Sequence, residues 1–288
     1  MPSFWQKIGA VLLSAVVAFV ILAGGQIPWT ALLAVNFSKS TSAQPWSVAA
    51  MAVVLWLMWL YLGGKGWPRH TSEARRRYLR ANSVPGRIFG LAFLSGVLAN
   101  IALAGYWIVF FQLVKTPANA LADASKYPLV TIVLVVAMSS LVSPISEEIA
   151  FRGYCQQMLE RRFSGPVAVI LSSLLFMLAH ANHGLFWPKL TVYFLAGLTF
   201  GAIALLTNSI LTTLPVHIVG DVTFFVLIWP RDSARVLVTQ GGADAWFWTH
   251  VAQAIAFTVL TLLAFGLLQR SCRATIPELE FSSSVAHR

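Results

Sequence analysis

The chain has 288 residues, 58% of them hydrophobic and 10% charged, with a formal net charge of +10. Soluble domains carry about 25% charged residues, so this composition leaves too few polar groups to cover a water-facing surface and makes lipid the solvent. The basic residues lie mainly between apolar runs, where they orient helices and meet anionic lipid. With no soluble domain to carry such a site, nucleic acid is excluded as a partner.

Read from the N-terminus, Lys7 precedes a long apolar run that has the look of a signal peptide. No small-residue cleavage site follows and the run is long enough to span, so it is expected to stay as a first helix. Runs of about 20 apolar residues predict eight transmembrane helices, at 8–34, 46–63, 88–114, 129–158, 166–182, 189–206, 209–229 and 246–268. Gly24, Gly25 and Pro28 are expected to kink or break the first. The segment 64–87 carries Lys65, Arg69, Arg75, Arg76, Arg77, Arg80 and Arg87 against one acid, Glu73. By the positive-inside rule it is cytoplasmic. Arg161 and Arg162 after the fourth span, and Arg270 and Arg273 after the eighth, fall on the same side. Both termini are then cytoplasmic, and the compact loops suit a prokaryotic inner membrane. The tail 274–288 is expected to fray. The reading is an all-α, polytopic membrane protein forming one integral domain: N-terminal helices over 1–128, core helices over 129–229, and the last helix and tail over 230–288.

A charge at mid-membrane costs about 2.5–3.5 kcal/mol on insertion scales, yet three predicted spans contain such residues. The fourth holds Ser146-Glu147-Glu148-Ile149-Ala150-Phe151-Arg152, the fifth Phe176 to His180, and the seventh His217 to Asp221. Glu148 and Arg152 are four apart and stack on one face as an ion pair. Glu147 points about 100° away, with no intrahelical partner expected, which suits a general acid or base. Asp221, four after His217, is placed to orient that imidazole and fix its tautomer. Phe176 shares a face with His180 and walls the pocket. Counted from the predicted span ends at 1.5 Å per residue, His217 lies roughly 12 Å deep, Glu147 roughly 16 Å and His180 roughly 21 Å. The remaining histidines read as bystanders: His183 and His250 as interfacial, His70 and His287 as solvated. Cys155 and Cys272 match no zinc or redox spacing.

A Glu and two His from three helices provide an activated water, an oxyanion stabiliser and an acid for a leaving amine. The same set could make a His₂Glu zinc site, with Glu147, His180 and His217 as ligands and a fourth position open to water. Spacing does not choose between zinc or another divalent metal and a metal-free glutamic mechanism. No HExxH helix or Gly-x-Ser-x-Gly elbow is present, so zincin and serine-hydrolase readings have no support.

The motif Glu147-Glu148…Arg152, then Phe176…His180, then His217…Asp221 resembles the signature of the CAAX-protease and bacteriocin-processing (Abi) family of intramembrane endopeptidases, related to the Ras-converting prenyl endopeptidases. The resemblance covers roughly 129–229; the first 128 residues match only in being hydrophobic helices. It implies a conical cavity open to the cytoplasm, Glu147 activating the attacking water, His180 and His217 completing the site, and Glu148 and Arg152 holding it. Asp221 stands where the family often has Asn, a departure that adds negative charge. The implied substrate is a peptide or protein, prenylated or membrane-anchored: a CAAX-type peptide, a bacteriocin leader, a sorting tail or a membrane-bound regulator. Two rivals stand beside this reading. A transporter or proton relay would continue polar residues across the bilayer and often show internal repeats. A non-catalytic immunity or scaffold protein would keep the fold and tolerate loss of Glu147.

Overall fold

The computed structural model describes residues 4–38, 45–115, 126–181 and 184–286, so His183 and His287 lie outside the described residues. Among those described there is no strand. In lipid, backbone polar groups must be satisfied internally, and helices built from Leu, Val, Ile and Ala do this within each segment. In chain order the helices are α1 (Phe4–Phe37), α2 (Trp46–Leu62), α3 (Ser72–Leu79), α4 (Gly86–Leu113), α5 (Leu129–Glu147), α6 (Gln156–Glu160), α7 (Gly165–Ala179), α8 (Trp187–Thr207), α9 (Leu214–Thr223), α10 (Val238–Gly241) and α11 (Ala245–Ala286). A π-helical segment, Glu148–Cys155, joins α5 to α6, and a second, Phe224–Ile228, extends α9.

Each of the eight predicted apolar helices is present. Six are long and apolar enough to cross a membrane, counting Leu129–Glu160 and Leu214–Asp232 as continuous, while Trp46–Leu62 and Gly165–Ala179 are shorter. Four details differ from expectation. α1 runs unbroken through Pro28. α11 continues to Ala286 where a frayed tail was expected. α9 begins at Leu214, because 208–213 forms turns, so His217 sits in its first turn and the depth counted from residue 209 does not apply. Likewise α7 stops at Ala179, leaving His180 as its C-cap.

The basic segment is more than a solvated loop. It contains α3, ended by Arg80 in the left-handed conformation (φ 56°). Arg75 is buried, donating to the carbonyls of Lys65 and Gly66 at 3.1 and 3.3 Å. Arg80 is buried too: it donates to Asn208 at 3.0 Å and pairs with Glu160 at 3.0 Å, and its carbonyl accepts from the Ile210 amide. Three stretches far apart in sequence therefore meet at one end of the bundle.

Small residues let the helices approach closely, the usual device where lipid supplies no hydrophobic drive between them. A Cβ on Gly105 would stand 3.0 Å from the His250 carbonyl and from the Ala254 amide nitrogen on α11. His250 is thus buried in the α4–α11 contact, its Nδ1 2.8 Å from the Trp246 carbonyl, and is not the interfacial residue expected. The centre of the bundle is the π segment, whose eight residues are all buried. It is packed by α1, α3, α7 and α8, and Ile149, Ala150, Phe151 and Cys155 join the core around it.

Candidate active site

Glu147 ends α5 where the π segment begins, and its neighbour Glu148 opens that segment. The step of about 100° between successive helical residues sends the two carboxylates to different tasks. Glu148, fully buried, turns toward α9: its Oε1 lies 2.8 Å from His217 Nδ1, and its Oε2 accepts from the Thr213 hydroxyl at 2.5 Å. Arg152, one turn on, stands 3.3 Å from Glu148. Neither Arg152 terminal nitrogen has a hydrogen-bond partner; the guanidinium instead lies on the rings of Phe176 (4.2 Å) and Phe200 (5.2 Å). The pair is held by charge and by cation–π contact in a dry setting.

Glu147 turns into a cavity of about 940 Å³ walled by helices from both halves of the chain. Contrary to expectation it has an intrahelical partner, the Ser143 hydroxyl four residues earlier, which donates to Oε1 at 2.6 Å. The carboxylate lies between the two imidazoles: Oε1 is 3.7 Å from His180 Nε2, and Oε2, which has no hydrogen-bond partner, is 3.6 Å from His217 Nε2. Three residues from three helices thus converge well within the roughly 8 Å that a shared water requires, given hydrogen bonds near 3 Å.

The ring orientations follow from what the other nitrogens meet. His180 Nδ1 is 2.9 Å from the Phe176 carbonyl, which can only accept, so Nδ1 carries the proton. Nε2 is then left with a lone pair facing Glu147. His217 Nδ1 faces Glu148 and by the same logic carries a proton, so that in the neutral ring Nε2 is the acceptor. Asp221 was expected to perform that orienting role. It instead sits 3.6 Å from Nε2, on the reacting side of the ring, and Glu148 is the residue that orients His217. Aromatic faces complete the clamp: Phe200 stacks on His217 with centroids 4.6 Å apart, Tyr193 on His180 at 4.1 Å, and Phe176 touches both rings.

Ser143, Thr213, Tyr193 and Phe200 were not singled out in the sequence. Ser143 and Thr213 lie four residues before Glu147 and His217, a spacing that could have found them. Tyr193 and Phe200 lie on an apolar helix and carry no such signal. Cys155 and Cys272 are free.

Among the described residues no group of three or more His, Cys, Asp or Glu side chains is arranged to hold a metal ion. The donor chemistry of a His₂Glu set is right for zinc, but Glu147 reaches each imidazole with a different oxygen, 3.6–3.7 Å away.

Comparison with curated proteins found no match, and comparison with solved structures found none. A family model does match. It covers residues 129–223, the stretch from α5 through α9 that supplies Glu147, Glu148, Arg152, Phe176, His180, His217 and Asp221. Over this third of the chain the helical core is similar to the Rce1-like, type II CAAX prenyl endopeptidase family.

Proposed function

We propose that the protein hydrolyses a peptide bond of a membrane-associated or CAAX-like substrate within the bilayer, using a water activated by Glu147. The observation that carries this reading is the Glu147 carboxylate set between two imidazole lone pairs on a cavity wall. Three acceptors that face one point need a donor or a cation between them, and a water supplies two O–H groups to that point.

In the mechanism this geometry supports, the water oxygen bonds to the carbonyl carbon as Glu147 takes its proton. The C=O double bond opens to an oxyanion. The proton passes over the short gap from Glu147 to His217 Nε2, where the positive charge formed on the ring lies beside Glu148 and Asp221. The ring then donates toward the oxyanion or the departing nitrogen. On collapse the C–N bond breaks, the nitrogen leaves with the proton, and a carboxylic acid remains. His180, held by Phe176 and Tyr193, positions the water from the other side. The cavity is taken to open toward the cytoplasm, on the side of the basic end.

The test is a comparison of new peptide termini in membranes carrying the wild type or Glu147→Gln at matched folded levels. Removing a general base costs about 10²–10⁴-fold in rate, so fragments present with the wild type should vanish with the variant, and a zinc chelator should leave wild-type cleavage unchanged. Identical fragment sets would sink the protease reading and favour a scaffold role. Loss on chelation that added zinc reverses would replace the water mechanism with a metal one.

A further inference from the structure

The basic end carries a second cavity, of about 280 Å³, between the start of α1 and the turn that follows α6. Its rim is cationic and polar, formed by Arg161, Arg162, Gln6 and Tyr78. Other basic residues of this end serve the protein itself: Arg75 and Arg80 are buried, and Arg77 pairs with Glu73 at 2.9 Å. Arg161 and Arg162 are exposed. The adjacent acid does not neutralise them, because the Glu160 carboxylate is taken by Arg80 and Gln156. Arg161 lies 4.5 Å from the centroid of the Tyr78 ring, a contact with the ring face that does not occupy its N–H donors. Lys7 lies over Phe163, 5.9 Å from the centroid, and brings a third positive charge beside the residue that follows Arg162.

Away from this rim the cavity turns apolar. It follows α1 from Gln6 to Ser14, eight residues or roughly 12 Å at 1.5 Å per residue, past Gly9, Ala10 and Leu13. Gly9 keeps the groove open, since a Cβ there would meet no atom within 4 Å. At the inner end the buried Ser14 hydroxyl is already donated to the Ala10 carbonyl at 2.7 Å. Leu13 is 56% exposed, so the groove opens along the helix toward the bilayer. Cations at the rim and hydrocarbon below match an anionic amphiphile lying along α1. A soluble anion would use the rim alone, and a neutral lipid the groove alone.

We propose that this cavity binds one anionic phospholipid, with its phosphodiester on Arg161 and Arg162 and the start of an acyl chain along Gly9, Ala10 and Leu13. Guanidinium N–H groups match phosphate oxygens in pairs, and basic pockets between membrane helices select anionic headgroups in this way. The site is separate from the catalytic cavity and does not depend on the protease reading. Its two walls both lead to the core: α6 continues the π segment that carries Glu148 and Arg152, and α1 packs on that segment. A lipid that joins them binds the folded bundle and stabilises it by mass action.

The test uses the full-length protein, delipidated in an uncharged maltoside detergent and titrated with dioleoylphosphatidylglycerol, dioleoylphosphatidylcholine or sodium phosphate. Bound lipid is counted by native mass spectrometry, and the unfolding temperature is read in parallel. The wild type should retain one phosphatidylglycerol and unfold at a higher temperature with it, and should do neither with phosphatidylcholine or phosphate. Phosphate that stabilises as well as phosphatidylglycerol would make this a soluble-anion site, and phosphatidylcholine retained as tightly would remove the role of charge; either overturns the proposal without any variant. Arg161→Gln combined with Arg162→Gln should weaken phosphatidylglycerol binding by about tenfold or more. Arg270→Gln combined with Arg273→Gln removes the same charge at exposed positions outside the cavity and should leave affinity within about threefold. Gly9→Phe changes no charge, fills the groove and should abolish retention. Equal loss in the two double variants, or full retention by Gly9→Phe, would mean diffuse attraction to a basic surface and overturn the site.

Discussion

Glu147 and Glu148 are adjacent and chemically identical, and their surroundings divide them. Glu148 has every oxygen occupied, by Thr213, His217 and the charge of Arg152. Glu147 keeps one oxygen unpartnered, facing the cavity. The first arrangement is structural, and removing one partner of a buried pair leaves the other charge uncompensated. Arg152→Ala should therefore destabilise the protein by about 3–5 kcal/mol, read as a lower unfolding temperature in detergent and a lower folded yield. An unchanged unfolding temperature would show that Glu148 needs only Thr213 and His217. The ion pair was legible from the four-residue spacing. That Glu148 would also hold His217, sixty-nine residues away, was not, because no local pattern encodes a contact between distant segments.

Between elements, the position of His217 depends on how closely α4 approaches the start of α9. Gly96 on α4 makes this approach possible: a Cβ there would fall 2.4 Å from Val216 Cγ1, next to His217 in the chain. Valine is confined to essentially one rotamer in a helix, so the side chain cannot turn aside and the helices must part. Gly96→Ala should cost about 1–3 kcal/mol as overpacking and slow cleavage by displacing the imidazole from Glu147. Adding Val216→Ala should restore both, since it removes the methyls that clash. If the single variant is as stable and active as the wild type, α4 does not set the position of α9. Gly220, against the Asn100 amide at 3.0 Å, marks the same seam one turn on. The apolar runs revealed both helices; the glycines that bring them together looked no different in the sequence from Gly9 or Gly90, which face open space.

At the scale of the whole molecule, Arg80, Glu160 and Asn208 join three segments at the basic end, and the positive-inside rule predicts that this end is cytoplasmic. Arg76 is exposed on α3. With Cys155 and Cys272 replaced, Arg76→Cys should be inert to a membrane-impermeant maleimide added outside intact cells and should react in inverted vesicles. Strong labelling from outside would reverse the topology. The sequence alone established that the chain is a bundle of eight apolar helices, which segments they are, and which few ionisable residues lie within them, because hydrophobicity and helical spacing are properties of contiguous residues. It also placed Glu147, His180 and His217 in one family pattern. Only the tertiary structure decided that α9 starts at Leu214, that the segment after Glu147 winds as a π-helix, that Arg75 and Arg80 are buried, and that Glu148 rather than Asp221 orients His217. Those outcomes depend on packing and pairing between segments distant in sequence, where the cost of an unpaired buried charge or a steric overlap selects one arrangement from several that the local pattern permits.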